Sequence, residues 1–255
     1  MIPIEKLQLK EVSSTYSSGE EKLPVLDRVS LSVGAGEFVS VIGPSGSGKS
    51  TILKIAAGLL KPDRGKVFID SSDITGNPQL VGYMPQQDLL FPWKTLKQNA
   101  ALPLLAAKTK KKEAYARVEE MLPVFGLEGF ADYYPYQLSG GMRQRTALMR
   151  TMLIDSDLML LDEPFGALDA LTRENMQDWL LRIWERFKRS ALFVTHSIDE
   201  AIYLSDRVCV ISERPGKNVL EQVIELPRPR KKELLTTEKF TSYKQMLIDA
   251  LSVKS

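Results

Sequence analysis

Residues 43–51 have the side chains and the spacing of a phosphate-binding loop. Glycines stand at positions 43 and 48 with four residues between them, and Lys49 and Ser50 follow directly. In such a loop the backbone N–H groups turn towards a polyphosphate, the lysine reaches its terminal phosphates, and the hydroxyl ligates Mg²⁺. We therefore predict a nucleoside triphosphate site, the alternative being a plain turn rich in Gly and Ser. The residues expected at the phosphates are Gly43, Ser45, Gly46, Gly48, Lys49, Ser50 and Thr51.

Two adjacent carboxylates, Asp162 and Glu163, follow four consecutive apolar residues at 158–161. An unbroken apolar run is typical of a strand that is buried on both faces. A nucleoside triphosphatase needs a carboxylate at its metal ion and a group that activates water. We predict that Asp162 holds Mg²⁺, directly or through water, and that Glu163 orients or deprotonates the attacking water. A solvated acidic pair is the weaker alternative, because the run before it is apolar.

His196 is the only histidine of the chain, and it follows an apolar stretch at 192–195. A single histidine is often structural or solvated, so its spacing alone leaves both a structural and a catalytic role open. Ligands of open α/β sheets bind at the carboxyl ends of the strands. A position just after a predicted strand therefore favours a place in the site.

The periodicity of apolar residues predicts the elements that must position these groups. Residues before 43 alternate as strands do, with a polar loop expected at 13–22. Helical spacing over 86–157 predicts an all-helical insertion, and strands alternate with helices after it, which indicates a mainly parallel sheet. We expect one α/β domain, divided into a catalytic core with a β subdomain, a helical subdomain and a C-terminal tail. The corresponding residues are 1–85 with 158–227, 86–157, and 228–255.

Composition narrows the possible functions. The chain has 255 residues, of which 44% are hydrophobic and 26% are charged. This composition is ordinary for a globular protein. A formal net charge of +2 argues against a nucleic-acid partner, and a single cysteine argues against a disulfide framework. We expect no secretory signal at the N-terminus, and no apolar run reaches the length of a membrane helix. Any membrane role is therefore expected to need a partner.

Further motifs resemble those of ATP-binding cassette (ABC) ATPases, in the order in which that family carries them. Residues 138–145, LSGGMRQR, look like the family's signature motif and lie upstream of the Asp162 strand. Gln86 resembles its glutamine loop, residues 164–169 its loop between paired subunits, and residues 194–196 its switch histidine.

This resemblance, from about residue 7 to residue 211, implies a fold and an assembly. The fold is a P-loop NTPase (RecA-like) core with an N-terminal antiparallel β subdomain and an inserted all-helical subdomain. Two copies would face each other head to tail, with ATP and Mg²⁺ between the phosphate loop of one and the signature of the other. Read alone, residues 139–141 are only a turn that starts a helix.

The resemblance also implies roles for individual residues. Tyr16 would stack on adenine, and Gln86 would sense Mg²⁺ and water and act in catalysis beside Glu163 and His196. The residues that would serve the partner's nucleotide are Ser139, Gly140, Gly141 and Asp169.

Three stretches narrow the resemblance to the ATPases of bacterial importers for nitrate, sulfonates, taurine and thiamine-precursor pyrimidines. They are residues 86–93, 162–169 and 212–216. Met142 replaces a common signature glutamine, as in importers, whereas Ser197 replaces a common aspartate and weakens a finer assignment. The implied protein is a peripheral subunit on the cytoplasmic face of the membrane. Its partners are a permease and, indirectly, an extracytoplasmic solute-binding protein; the solute is not specified.

Two other functional classes compete with this interpretation. An ABC ATPase of DNA repair or chromosome maintenance would favour zinc-binding cysteines, a long coiled-coil insertion or a basic channel, and the sequence has none. A kinase needs an acceptor site, and a GTPase needs a guanine-specificity motif, which is also absent from the sequence.

Three features leave alternatives open. The basic runs at 108–112 and 228–232 are solvated faces, or they lie near anionic lipid. Phe91 and Trp93 pack within the helical insertion, or they line a groove for a permease helix.

Overall fold

The computed structural model describes residues 5–19 and 21–252, so the expectation about the N-terminal signal lies partly outside the described residues. The strands are β1 (Glu5–Ser18), β2 (Glu21–Gly34), β3 (Phe38–Ile42), β4 (Arg64–Ile69), β5 (Ser72–Asp73), β6 (Gly82–Met84), β7 (Leu158–Asp162), β8 (Ser190–Val194), β9 (Arg207–Ile211) and β10 (Asn218–Val223). The α-helices are α1 (Lys49–Ala56), α2 (Leu96–Ala100), α3 (Leu102–Ala106), α4 (Lys111–Phe125), α5 (Gly140–Met152), α6 (Ala170–Phe187), α7 (Ile198–Leu204) and α8 (Glu238–Ser252). Short 3₁₀ turns lie at Pro135–Gln137 and Lys232–Thr236.

A six-stranded sheet in the order β10-β9-β3-β8-β7-β6 forms the centre of the fold. Its strands from β9 to β6 are parallel, and β10 adds an antiparallel edge. Every residue of β3, β7 and β8 is buried, which explains why their sequences are mostly apolar. Because these three strands are neighbours and parallel, their carboxyl ends meet at one edge, where residues 43, 162 and 195 lie.

A second, antiparallel sheet in the order β2-β1-β4-β5 covers one side of the central sheet. The polar loop predicted at 13–22 is wrong, because β1 continues to Ser18 and β2 begins at Glu21. The far end of this hairpin is an exposed two-stranded ribbon, so it lacks the alternation by which a half-buried strand is recognised. Tyr16 therefore lies on a strand, directly opposite Leu23.

The central sheet is apolar on both faces, and β3 shows this residue by residue. Val39 and Val41 join the core shared with α1 and the antiparallel sheet. Phe38 and Ile42 join the core formed with the helices on the other face. The ring centroid of Phe38 lies 5.7 Å from that of Trp184 on α6. The phosphate-loop strand is thus fixed between two packed layers.

Helices α2–α5 form the block predicted between β6 and β7, although residues 86–95 contain no helix. The block begins at a capping box, in which Thr95 accepts a hydrogen bond from the Gln98 N–H and Gln98 accepts one from the Thr95 N–H. Its apolar residues belong to the same core as α6. Within the described chain, no helix combines the length and apolarity needed to cross a bilayer.

The C-terminal segment packs against the core through α8, whose Phe240, Tyr243 and Leu247 are buried. Within the basic run at 228–232, Arg228 stacks on Trp184 and pairs with Asp206, and Arg230 is buried. These two arginines are therefore part of the fold, and neither alternative stated for this run describes them.

Candidate active site

The loop at 43–48 joins the end of β3 to the start of α1, as its sequence predicts. Gly48 has a φ of 97°, and a Cβ there would lie 2.6 Å from the side chain of Leu26. A Cβ on Gly43 would lie 2.6 Å from the carbonyl oxygen of Ile211. Only glycine fits these two positions, because Leu26 and Ile211 of the same chain pack directly against the loop.

Lys49 is buried within the loop that precedes it, with 6% of its surface exposed. Its ammonium group donates hydrogen bonds to the carbonyl oxygens of Gly43 and Pro44, at 2.9 and 2.8 Å. Burial lowers the pKa of Lys49, while the carboxylates of Glu163 and Asp162 oppose that shift. A weakly hydrated cation in this position is suited to bind an anion.

Ser50 and Asp162 form the second part of the site. The Ser50 hydroxyl donates to the Asp162 carboxylate at 3.0 Å, and Asp162 is 4% exposed at the end of β7. Burial is the main cause that raises the pKa of Asp162, and the charge of Glu163 adds to it. A hydroxyl and a carboxylate are hard oxygen donors that fit Mg²⁺, which needs few protein ligands when a polyphosphate supplies others.

Glu163 stands between Gln86 and His196. One of its carboxylate oxygens lies 3.2 Å from the Gln86 amide nitrogen, which donates to it, and 3.2 Å from His196 Nδ1. The Glu163 N–H donates to the carbonyl of Val194 at 2.9 Å, which ties β7 to β8 at this point. Three residues that are distant in sequence thus converge because β6, β7 and β8 end at the same edge of the sheet.

These groups surround one open cavity of about 590 Å³. The sequence-predicted residues that line it are Tyr16, Ser45, Gly46, Gly48, Lys49, Ser50, Thr51, Gln86, Glu163 and His196. Gly43 and Asp162 contact this wall from behind through Lys49 and Ser50. The lining therefore combines an aromatic ring (Tyr16), the cation of the phosphate loop (Lys49) and a carboxylate (Glu163).

Three lining residues, Leu23, Val25 and Arg214, were missed from the sequence. Leu23 lies opposite Tyr16, so recognising the hairpin would have found it. Arg214 donates from Nε to the Gly46 carbonyl at 3.1 Å. It reaches the loop because β9 pairs with β3, an adjacency between distant strands that no local pattern reveals.

Ser139, Gly140, Gly141 and Asp169 do not line this cavity. Ser139 caps α5 by accepting a hydrogen bond from the Met142 N–H at 3.3 Å, and Asp169 caps α6 by accepting one from the Thr172 N–H at 3.0 Å. Hydrogen bonds from Thr172 hold the pKa of Asp169 below its usual value. A single chain therefore brings the phosphate-loop residues together with Gln86, Glu163 and His196, and it leaves the signature residues and Asp169 outside that cavity.

Sequence comparisons identify similar proteins. A family model described as "ABC transporter" matches residues 26–166. An uncharacterised ABC transporter ATP-binding protein of Methanocaldococcus jannaschii is 42% identical over 246 residues, which cover 96% of this chain and 91% of that protein. An aliphatic sulfonates import ATP-binding protein, SsuB, of Bacillus cereus is 46% identical over 228 residues, or 89% of each chain.

Solved structures give the same result for the fold. The ATP-binding cassette MJ0796, in a dimeric post-hydrolysis state bound to ADP and Pi, is 34% identical with a TM-score of 0.74. A second dimeric structure of MJ0796, described as a bacterial ABC transporter cassette, has a TM-score of 0.75 at 34% identity. Each similarity covers 87% of this chain and 100% of the other.

Proposed function

Since this chain belongs to the ABC transporter family of ATP-binding proteins, we propose that it is the ATP-hydrolysing subunit of an importer that takes up a small solute through a separate permease. One observation carries the proposal: the Glu163 carboxylate, held between Gln86 and His196, borders the same cavity as the phosphate loop. This arrangement supports hydrolysis, because a base lies beside the place where the terminal phosphate would be bound.

ATP would lie with its adenine against Tyr16 and its phosphates against residues 45–51. Lys49 exchanges its bonds to the Gly43 and Pro44 carbonyls for bonds to phosphate oxygens. Glu163 accepts a proton as water attacks the γ-phosphorus, the bond from that phosphorus to the bridging oxygen breaks, and ADP and phosphate are released. His196, at Nδ1, keeps the Glu163 carboxylate directed towards the cavity.

Ser50 and Asp162 would hold Mg²⁺, together with Gln86, which lines the same cavity as Ser50. When bound, the ion neutralises charge on the phosphate oxygens. The chain itself contributes preorganisation, because the Ser50 hydroxyl and the Asp162 carboxylate already touch at 3.0 Å.

A second copy of the chain would complete the site. Ser139, Gly140 and Gly141 begin α5, and the N–H groups at the start of a helix favour an anion such as a γ-phosphate. Asp169 would lie in the contact between the copies. The dimeric state of the MJ0796 cassette supports this assembly. In it, residues 86–157 act as a helical subdomain that moves relative to the core and β subdomain at 1–85 and 158–227, while 228–255 form a C-terminal unit.

An exposed apolar surface after Gln86 is suited to contact the permease. Leu89, Phe91 and Trp93 are exposed, and the rings of Phe91 and Trp93 lie 5.2 Å apart. Exposed apolar groups of this kind mark interaction sites. Because this surface follows directly from a residue that contacts Glu163, docking there couples the permease to the state of the site. The protein would then lie on the cytoplasmic face of the membrane.

The name of the Bacillus cereus relative favours a sulfonate as the solute, among the nitrate, sulfonate, taurine and pyrimidine classes. An extracytoplasmic binding protein would deliver it to the permease. Transport into vesicles that contain the reconstituted permease, assayed with an alkanesulfonate and with nitrate, tests the assignment. Uptake of nitrate alone would contradict it.

Glu163→Gln tests the hydrolytic function. The amide still fits between Gln86 and His196 but accepts no proton, so we expect ATP turnover to fall by about 10²- to 10⁴-fold while ATP binding persists. Phosphate release measures turnover, and a fluorescent ATP analogue measures binding. As the control, Lys49→Ala should weaken binding itself by about 10- to 100-fold. Wild-type turnover by the Glu163→Gln protein would remove Glu163 from this role.

A further inference from the structure

We infer that Glu200 and Arg173 are positioning residues that connect the loop of His196 to the segment after Glu163. The inference rests on the proposed ATPase function, since it assigns to the buried Glu200 and the half-buried Arg173 the task of fixing two loops of that site. Neither residue lines the cavity, and neither was singled out by any sequence motif.

Glu200 is linked to the residues on both sides of His196. It is 6% exposed, and its carboxylate accepts a hydrogen bond from the Thr195 hydroxyl. The same hydroxyl accepts from the Ser197 N–H at 3.0 Å, and the Ser197 hydroxyl accepts from the Glu200 N–H at 3.3 Å. His196 is exposed, and both of its neighbours are linked to Glu200. Thr195 bonds to the buried carboxylate, and Ser197 bonds to the Thr195 hydroxyl and to the Glu200 N–H.

Arg173 holds the other segment, residues 165–169. Its guanidinium donates to the carbonyl oxygens of Phe165 and Leu168, at 3.3 and 2.9 Å. Its Nε also lies 4.0 Å from Oε1 of Glu200, and that oxygen accepts a hydrogen bond from the Gln177 amide at 2.9 Å. The carboxylate charge is thus shared between a hydroxyl of one loop and the cation that holds the other.

The charge of Glu200 couples the positions of the two loops. A buried carboxylate is tolerated only while it is paired and hydrogen-bonded, so a displacement of either loop exposes the other to an uncompensated charge. The distance of 3.2 Å between His196 Nδ1 and Glu163 depends on the first loop. The second loop carries Asp169, which would face the partner copy. Glu200 and Arg173 together therefore fix a contact within the chain and a contact between chains.

Conservative variants test this in the full-length chain. In Glu200→Gln, Thr195→Val and Arg173→Lys, we expect kcat to fall about 10- to 100-fold, because small misplacements of catalytic groups are costly. The Kd for nucleotide of the single chain should stay within about twofold, because none of the three residues lines its cavity. Ser205→Ala is the matched control, since it removes a buried hydrogen bond, to Ser40, at the other end of α7 and should leave kcat unchanged.

A measurement without ATP turnover separates this inference from the proposed function. Hydrogen–deuterium exchange of the nucleotide-free chain should rise at residues 165–169 in Glu200→Gln and at residues 195–197 in Arg173→Lys. In each variant the exchange rises in the loop that the altered residue does not itself contact, because the two loops are coupled. Two results would overturn the inference and leave the proposed function standing. One is unchanged exchange in both Glu200→Gln and Arg173→Lys, and the other is wild-type kcat in Glu200→Gln while Lys49→Ala is inactive. If the unaltered chain neither bound nor hydrolysed ATP, the proposed function would fail, and the exchange result would still decide the connection.

Discussion

Asp162 and Glu163 are adjacent carboxylates that the backbone separates into two environments. Asp162 ends β7 as a buried strand residue against Ser50, whereas Glu163 has a φ of 43° and directs its side chain to Gln86 and His196. A positive φ is unfavourable for a residue other than glycine, and it persists where the surroundings enforce it. Here the bond from the Glu163 N–H to Val194 does so. The turn gives each carboxylate its own partners, which a continued strand would not.

Asp162→Asn should stabilise the nucleotide-free chain. Burial raises the pKa of Asp162 in the folded state, so its ionised form costs stability at any pH above that folded pKa. The cost disappears as the pH falls towards the unfolded value of 3.8. Asparagine keeps the acceptor for Ser50 without the charge. Each unit of pKa shift corresponds to about 1.4 kcal/mol of stability. Each kcal/mol in turn changes the melting temperature by about 2–4 °C.

The melting temperature of Asp162→Asn should therefore exceed that of the unaltered chain at pH 8, and the difference should shrink at pH 5. Asp155→Asn removes an exposed carboxylate of the same size and controls for net charge. Addition of Mg²⁺ and ATP should reverse the order, because the unaltered chain then gains a ligand. A lower melting temperature for Asp162→Asn at pH 8 without ligands would contradict the expectation.

Sequence reasoning located the residues of the site better than it located their partners. The pattern of residues 43–51 and the acidic pair after a buried run are local, so spacing alone places them on a strand, a loop and a helix. The 3.2 Å contacts of Glu163 are not local, since they depend on the order β8-β7-β6 in the sheet. Arg214 was missed for the same reason.

At the scale of elements, two helix starts combine a structural and a proposed functional use. Ser139 and Asp169 cap α5 and α6 through their side chains, and this is the plain interpretation of a turn that starts a helix. The cap satisfies one N–H, whereas the first turn of a helix has four without helical partners. A cap therefore leaves the helix start able to bind an anion supplied by another molecule.

Helix α8 is predicted to support the whole core. Phe240 is 2% exposed and belongs to the larger apolar core, which α6 and the central sheet share. Truncation of a buried phenylalanine costs about 3–5 kcal/mol, so Phe240→Ala should lower the free energy of unfolding by that amount in urea. Met246→Ala on the exposed face of α8 should change it by less than about 0.5 kcal/mol. Equal unfolding curves for the two variants would mean that α8 is not needed for core stability.

The apolar spacing at the C-terminus predicts an amphipathic segment but not the surface that it covers. Tyr243, for example, packs in the core and accepts a hydrogen bond from the Glu225 N–H at 3.1 Å. That partner lies on a different element, so no local pattern reveals it. In the hairpin of β1 and β2 the surface is known but the element was missed, because its exposed end pairs as strands without the apolar alternation that predicts them.

At the scale of the whole molecule, the cavity lacks the residues that the signature motif would supply. The phosphate loop, Glu163 and His196 border it, while Ser139 and its glycines start a helix that does not reach it. The proposed head-to-tail pair of copies would account for both facts, because each copy would supply the group that the other lacks. An interface with twofold symmetry then contains two equivalent composite sites.

Mixing two inactive variants tests this assembly. Lys49→Ala removes the phosphate-loop cation, and Ser139→Arg blocks the signature helix, so each homodimer should hydrolyse ATP poorly. A mixed dimer pairs the intact loop of the Ser139→Arg chain with the intact signature of the Lys49→Ala chain, which restores one of its two sites. At equal concentrations half of randomly formed dimers are mixed, so phosphate release should recover to about a quarter of the unaltered rate. If each chain carried a complete site by itself, the mixture would show only the average of the two separate variants.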